Sequence, residues 1–214
     1  MTTKAVFFDA LGTLVELEPP WVHLAAELGI EPDETVVAAL RAEMAYYREH
    51  SHEASDARRL ADLRAACAEL LTRELGRAVS VETLMASIRF RAYADAAPAL
   101  THLRERGLVL LCVSNWDIAL PEVLERVGLA GTLEGVVTSA AVGARKPDPA
   151  IFAAALELAG CEPGEALHVG DTPAEDVDGA RAAGIPPVLL DRDGADRDAG
   201  EIASLSEIEQ HLRT

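Results

Sequence analysis

The residues best suited to chemistry in this 214-residue chain sit directly behind short apolar runs. Asp9-Ala10-Leu11-Gly12-Thr13 follows Ala5-Val6-Phe7-Phe8, Ser114-Asn115 follows the apolar stretch 108–113, and Gly170-Asp171 follows Ala166-Leu167-His168-Val169, with Asp176 five residues beyond. Lys146-Pro147 stands just ahead of a further apolar segment at 149–159. A carboxylate such as Asp9 can attack phosphorus and split one displacement into two easier ones through an aspartyl-phosphate. Two more carboxylates beside it would repel one another unless a divalent cation lay among them, and hard oxygen ligands suit Mg²⁺. That ion and Lys146 would neutralise the transferred group, while hydroxyls and backbone amides hold its oxygens.

For these residues to meet, the runs before them must be neighbouring strands. Residues 5–8 form a wholly apolar run, which reads as a strand buried on both faces of a parallel sheet. Strands are expected also at 108–113, 135–137, 166–169 and 187–190, alternating with helices at 98–106, 118–127, 149–159 and 174–183. Strict alternation predicts a doubly wound, Rossmann-like α/β sheet, whose ligands bind at the carboxyl ends of the strands. Between Pro19 and Tyr93 the pattern is different. Segments 33–50 and 55–76 are rich in Ala, Leu, Arg and Glu at helical spacing, and no strand is evident. Residues 16–95 are therefore expected to be an all-helical insertion, a cap, into an α/β core made of 1–15 and 96–214. The stretch 191–200, dense in Asp, Arg and Gly, reads as a solvated loop, and a last helix is expected at 205–213, capped by Ser206.

Composition narrows the function classes. The formal net charge is −17, with no basic cluster, so nucleic acid and anionic membranes are not expected partners. The same field repels a phosphate ester, so an anionic substrate needs a metal or a local cation. Only two lysines occur, Lys4 and Lys146, which makes each of them informative. Cys67, Cys112 and Cys161 lie apart in apolar surroundings and read as buried free thiols. No run approaches the ~18 apolar residues of a membrane span, and no signal peptide is evident before Lys4, so a cytoplasmic location is expected. The expected assembly is a monomer or a homodimer, acting on a small phosphorylated molecule.

The order DxxGTL, hydrophobic-Ser-Asn, Lys-Pro-Asp-Pro, Gly-Asp-x₄-Asp resembles the four motifs of the haloacid dehalogenase-like hydrolases, most closely their small-phosphatase branch. The helical insertion resembles that family's first type of cap. The resemblance implies Asp9 as nucleophile, Thr13 orienting it, Ser114 and Asn115 binding phosphoryl oxygens, and Lys146 securing nucleophile and phosphate. It implies Mg²⁺ held by Asp9, the Leu11 carbonyl and Asp171, with Asp176 acting through water on the ion or from behind the direct ligands.

Position 11 departs from the phosphatase pattern, which has an acid/base aspartate there. General acid–base help is worth roughly 10²–10⁴ in rate, so Leu11 implies slow hydrolysis of ordinary phosphomonoesters. Three explanations stand: a substrate with a good leaving group, an acid supplied by the cap (His23, His50, His52 or Glu53), or a weakly catalytic member used for binding or regulation. A 2-haloacid dehalogenase also lacks that aspartate, but Asp171 would then stand close to where Asp9 and a carboxylate substrate must meet. A Schiff-base route is closed, because residues 16–95 contain no lysine.

Each of these residues also has an ordinary role available: Asp9 in a turn, Asp171 and Asp176 at a helix start, Lys146 at the surface. Four motifs in the right order, each at a strand end, favour the chemical roles. Trp116 is expected to pack against a neighbouring loop, and His168 to be structural.

Overall fold

A computed structural model of the chain describes residues 2–194 and 200–213. Strand β1 (Ala5–Phe8) lies at the centre of a five-stranded sheet. It pairs in parallel with β4 (Val109–Ser114) on one side and β6 (Ala166–Gly170) on the other, so Phe8 faces both Cys112 and Val169 in register. Strands β5 (Gly135–Thr138) and β7 (Pro187–Leu189) complete the order β5-β4-β1-β6-β7, all parallel.

The apolar runs are continuous because both faces are covered. Val6 and Phe8 enter one apolar cluster with Leu110 and Cys112, while Ala5 and Phe7 enter another with Leu111 and Val113. That split follows the two-residue period of a strand. Helices α5 (Ala96–Glu105) and α6 (Leu120–Arg126) pack on the first face, and α8 (Pro149–Ala159), preceded by the short α7 (Ser139–Val142), on the second. The expected doubly wound parallel sheet is the observed architecture.

The segment between the first strand and α5 carries helices α1 (Pro20–Leu28), α2 (Glu34–His50), α3 (Ala57–Leu75) and α4 (Val81–Ser87). Asp33 and Asp56 cap α2 and α3 by accepting from Val36 N and Arg59 N. The apolar sides of these helices, with Leu24, Leu40, Leu63 and Leu71, form a third cluster.

Four expectations need correction. The absence of strands between Pro19 and Tyr93 does not hold, because β3 (Phe90–Ala92) pairs antiparallel with β2 (Val15–Leu17). These three-residue strands are too short for a period to register, and Glu16 and Arg91 face each other as an ion pair at 2.9 Å. The helix expected at 174–183 is a π-helical turn, Pro173–Asp178, followed by α9 (Gly179–Ala182). The wider turn brings Asp176 Oδ2 back to accept from Thr172 N at 3.0 Å. The last helix is a 3₁₀ helix, Leu205–His211, whose cap is Ser204 in a reciprocal box with Glu207, not Ser206. The stretch 191–200 is not simply solvated, since Arg192 is tied into the core, as described below; residues 195–199 lie outside the described ones. Among the thiols, Cys67 and Cys112 are buried and Cys161 is half-buried.

Candidate active site

The carboxyl ends of β1, β4 and β6 bring the sequence-predicted residues into one group. Asp9 continues β1 by donating its N–H to Val169 O. The residue is only 7% exposed, and Oδ1 accepts from Ser114 Oγ at 2.9 Å and from Lys146 Nζ at 2.6 Å. Lys146, 1% exposed, also donates to Asp176 Oδ1. The same Asp176 oxygen lies 2.9 Å from Nε2 of the fully buried His168, which is the donor when Asp176 is ionised.

Two glycines make this crowding feasible. A Cβ on Gly12 would lie 2.1 Å from Asp171 Oδ2, and one on Gly170 would lie 2.1 Å from Asp176 Cγ. Gly12 also has φ 86°, which a side chain would disfavour. Asp9, Asp171 and Asp176 each present an oxygen within 4.8 Å of the others.

The electrostatics follow from three carboxylates around one ammonium. Burial raises the Asp9 carboxyl above its usual range, against the pull of Lys146. Burial, together with Asp9 and Asp176, pushes Asp171 up to about 6. Asp176 is held well below the usual range, because Lys146 and His168 outweigh its burial. Lys146 is raised, its own burial outweighed by Asp9 and Asp176. The cluster thus has more negative charge than it balances, and its donors are hard oxygens, so its residues fit a small divalent cation.

The remaining predicted residues take defined places. The Asn115 amide group donates to Lys146 O at 3.0 Å and Glu175 Oε2 at 2.8 Å, and its oxygen accepts from Lys146 N at 2.7 Å. Its side chain therefore braces the Lys146 loop. Thr13 is fully buried, and its hydroxyl has no hydrogen-bond partner among the described residues, Asp9 included. Trp116 packs against Phe90 with ring centroids 5.2 Å apart.

Above the cluster opens a cavity of about 1040 Å³, walled by the sheet edge on one side and by α2, α3 and α4 on the other. Leu11 lines it, and His23, His50, His52 and Glu53 do not. His23 pairs with Glu18 instead, and His50 with Glu53. Five arginines, Arg48, Arg64, Arg89, Arg126 and Arg145, line the cavity alongside seven acidic residues, Asp9, Glu16, Glu43, Asp117, Glu122, Asp171 and Glu175, and Arg145 pairs with Glu175 at 3.7 Å. Across it, Tyr47 Oη donates to Asp117 Oδ2 at 2.8 Å, joining α2 to the loop after β4.

Sequence reasoning missed Glu43 and Arg192, and it read His168 as structural without its bond to Asp176. Glu43 lines the cavity at 5% exposure, with the Cys67 thiol beside it, and burial raises its carboxyl. Only its place on the apolar side of α2 signals this. A raised folded-state pKa means stability is lost as pH rises from the unfolded value through the folded one. Glu43→Gln cannot ionise, so its melting temperature should gain on the native protein at about pH 8 and gain less at about pH 5. A difference that does not grow with pH contradicts this.

Residues 3–184 match the family model described as haloacid dehalogenase-like hydrolase. The chain is 46% identical over 95 residues to haloacid dehalogenase-like hydrolase domain-containing protein 3 of Bos taurus, covering 44% of this chain and 38% of that protein. It is 43% identical over 105 residues to a phosphoserine phosphatase of Thermus thermophilus, covering 49% and 42% respectively. The chain thus spans less than half the length of these curated relatives. Across nearly the whole chain, the crystal structure of an HAD phosphatase from Thermococcus onnurineus superposes with TM-score 0.69 at 29% identity, covering 98% of this chain and 97% of that one. Structures of dehalogenases share the fold at 21–24% identity.

Proposed function

The chain belongs to the haloacid dehalogenase-like hydrolases, and from that premise we propose that it is a phosphatase, hydrolysing a small phosphorylated metabolite through a phosphoryl group carried on Asp9, with Mg²⁺ required. The observation that carries this reading is the way Asp9 is held. Its Oδ1 is fixed by Ser114 and Lys146, and no hydrogen bond engages Oδ2 among the described residues. Oδ2 attacks phosphorus, and the bond from phosphorus to the ester oxygen breaks. Water then attacks phosphorus, the bond to Oδ2 breaks, and Asp9 is regenerated with release of inorganic phosphate. Asp9, the Leu11 carbonyl and Asp171 would hold Mg²⁺, which would supply positive charge to the phosphoryl oxygens.

Lys146 balances charge on the same side, and Asp176 with His168 keeps its ammonium aimed at Asp9. Ser114 and Asn115 fix the floor on which the phosphoryl group rests. Helices α1–α4 serve as a cap over the cavity, excluding water and choosing the substrate. A 2-haloacid reaction calls for no divalent ion and would leave the clustering of Asp171 and Asp176 beside Asp9 unexplained, whereas a phosphate ester bound with Mg²⁺ accounts for all three carboxylates.

Because Leu11 offers no proton, the departing oxygen leaves unaided, which favours acyl and aryl phosphates. A panel of phosphorylated compounds with Mg²⁺ or EDTA tests this. Turnover is expected only with Mg²⁺ and faster for aryl than alkyl esters. Leu11→Asp should raise alkyl phosphate turnover by roughly 10²-fold or more and leave aryl esters little changed. Equal native rates on the two classes, or activity undiminished in EDTA, contradict the reading.

A further inference from the structure

We propose that Arg192 is a positioning residue for this hydrolysis, holding the Asp9 loop in register with the strand by which the chain returns from the helical segment. The inference rests on the phosphatase reading of the site. Arg192 follows β7 at the same carboxyl edge of the sheet, and its side chain is 18% exposed. Nε donates to Gly12 O at 3.2 Å, and Nη2 donates to Thr13 O at 2.8 Å. Nη1 and Nη2 donate to the two Asp95 oxygens at 3.0 and 3.1 Å. The guanidinium carbon lies 3.7 Å from the centroid of the Tyr93 ring, and Tyr93 itself lines the cavity.

One planar group thus fastens two carbonyls of the loop that carries Asp9 and Leu11 to Tyr93 and Asp95. Those two residues follow β3, where the chain comes back from α1–α4 to the sheet. A guanidinium suits this task because its donors are fixed in a plane, letting it satisfy two carbonyls and a carboxylate while stacking on a ring. The loop needs such a fastening: Gly12 is at positive φ with Asp171 packed where a Cβ would be. A small rotation of that loop moves Asp9 against Asp171 and Lys146. Asp95 does not depend on Arg192 in the same way, since Ser204 Oγ and Leu205 N also donate to it at 2.8 and 2.9 Å. Removing the guanidinium therefore loosens the turn at Gly12 and Thr13, whose two carbonyls lose their donor, while the return strand stays anchored and Tyr93 N still donates to Leu14 O at 3.1 Å.

The test uses full-length Arg192→Gln and Arg192→Lys, with thermal melting and steady-state kinetics on an aryl phosphate with Mg²⁺, rates being expressed per folded molecule. A displacement of reacting groups by about 1 Å can cost roughly 10²-fold, so kcat in Arg192→Gln is expected to fall by about 10- to 100-fold with KM little changed. Arg192→Lys, which keeps the charge and loses the fork, should fall between it and the native protein. If Arg192→Gln does not fold, Arg192→Lys decides by the same split. A kcat per folded molecule equal to the native value overturns the proposal, as does an effect confined to KM. Failure of the phosphatase reading looks different: the native chain itself turns over no phosphate ester, and a positioning role in that reaction falls with it.

Discussion

Asp9→Asn is expected to lower phosphate ester turnover by at least about 10⁴-fold while leaving the protein folded, because it removes the attacking oxygen and little else. The amide keeps the shape of the carboxylate, and its oxygen can still accept from Ser114 and Lys146, which hold Asp9 Oδ1 at 2.9 and 2.6 Å. Lys146 keeps Asp176 as an ionic partner. Substitution also removes a carboxyl that burial disfavours as an anion, so the melting temperature should hold or rise. Circular dichroism and kinetics on the same sample separate the two effects. Residual turnover within tenfold of native would remove Asp9 from the role of nucleophile.

Lys146→Met should have the largest effect on stability. Methionine matches the aliphatic stem of lysine out to Cε and suits its buried path, so the lost ammonium is the main change. That ammonium stands between Asp9 and Asp176 in a pocket where Lys146 is 1% exposed. Taking one partner from a buried ionic group leaves uncompensated charge, at a cost of about 3–5 kcal/mol. For a chain of this size, each kcal/mol lowers the melting temperature by roughly 2–4 °C. Lys146→Met combined with Asp176→Asn should be more stable than Lys146→Met alone, since one of the two buried carboxylates that lost the ammonium is gone, His168 and Thr172 N remaining as donors at that position; the two positions touch, so their effects are not additive. Denaturant titration of the three proteins measures this. A loss under about 1 kcal/mol for Lys146→Met would mean that the ion pairs are not held as tightly as their burial implies.

The legible parts of this molecule are those where a single physical rule acts strongly on few residues. The strands ending at Phe8, Ser114 and Gly170 are almost wholly apolar, His168 and the closing Ser114 apart, because they are covered on both faces, and that marks them in the sequence. The polar residues that follow then fall at one edge of the sheet. Proximity among Asp9, Asp171, Asp176 and Lys146 could be inferred, but not that Asp176 spends one oxygen on Lys146 and His168. That bonding depends on a π-helical turn, and its sequence carries the same acidic start as an ordinary helix. The β2–β3 pair escaped notice because three residues do not define a period. Arg192 sits in a run of Asp, Arg and Gly whose composition suggests solvent; only long-range contacts with Gly12, Thr13 and Asp95 reveal its burial. Glu43 was hidden for a related reason: a carboxylate on a helix reads as solvated until α3 is packed over it.

A rapidly quenched single turnover with a ³²P-labelled aryl phosphate and Mg²⁺ tests the central claim most directly. Radioactivity is expected to appear transiently on one peptide, the one containing Asp9, and to decay as inorganic phosphate forms. Product released with no label passing through Asp9, or label retained in Asp9→Asn, would contradict the mechanism.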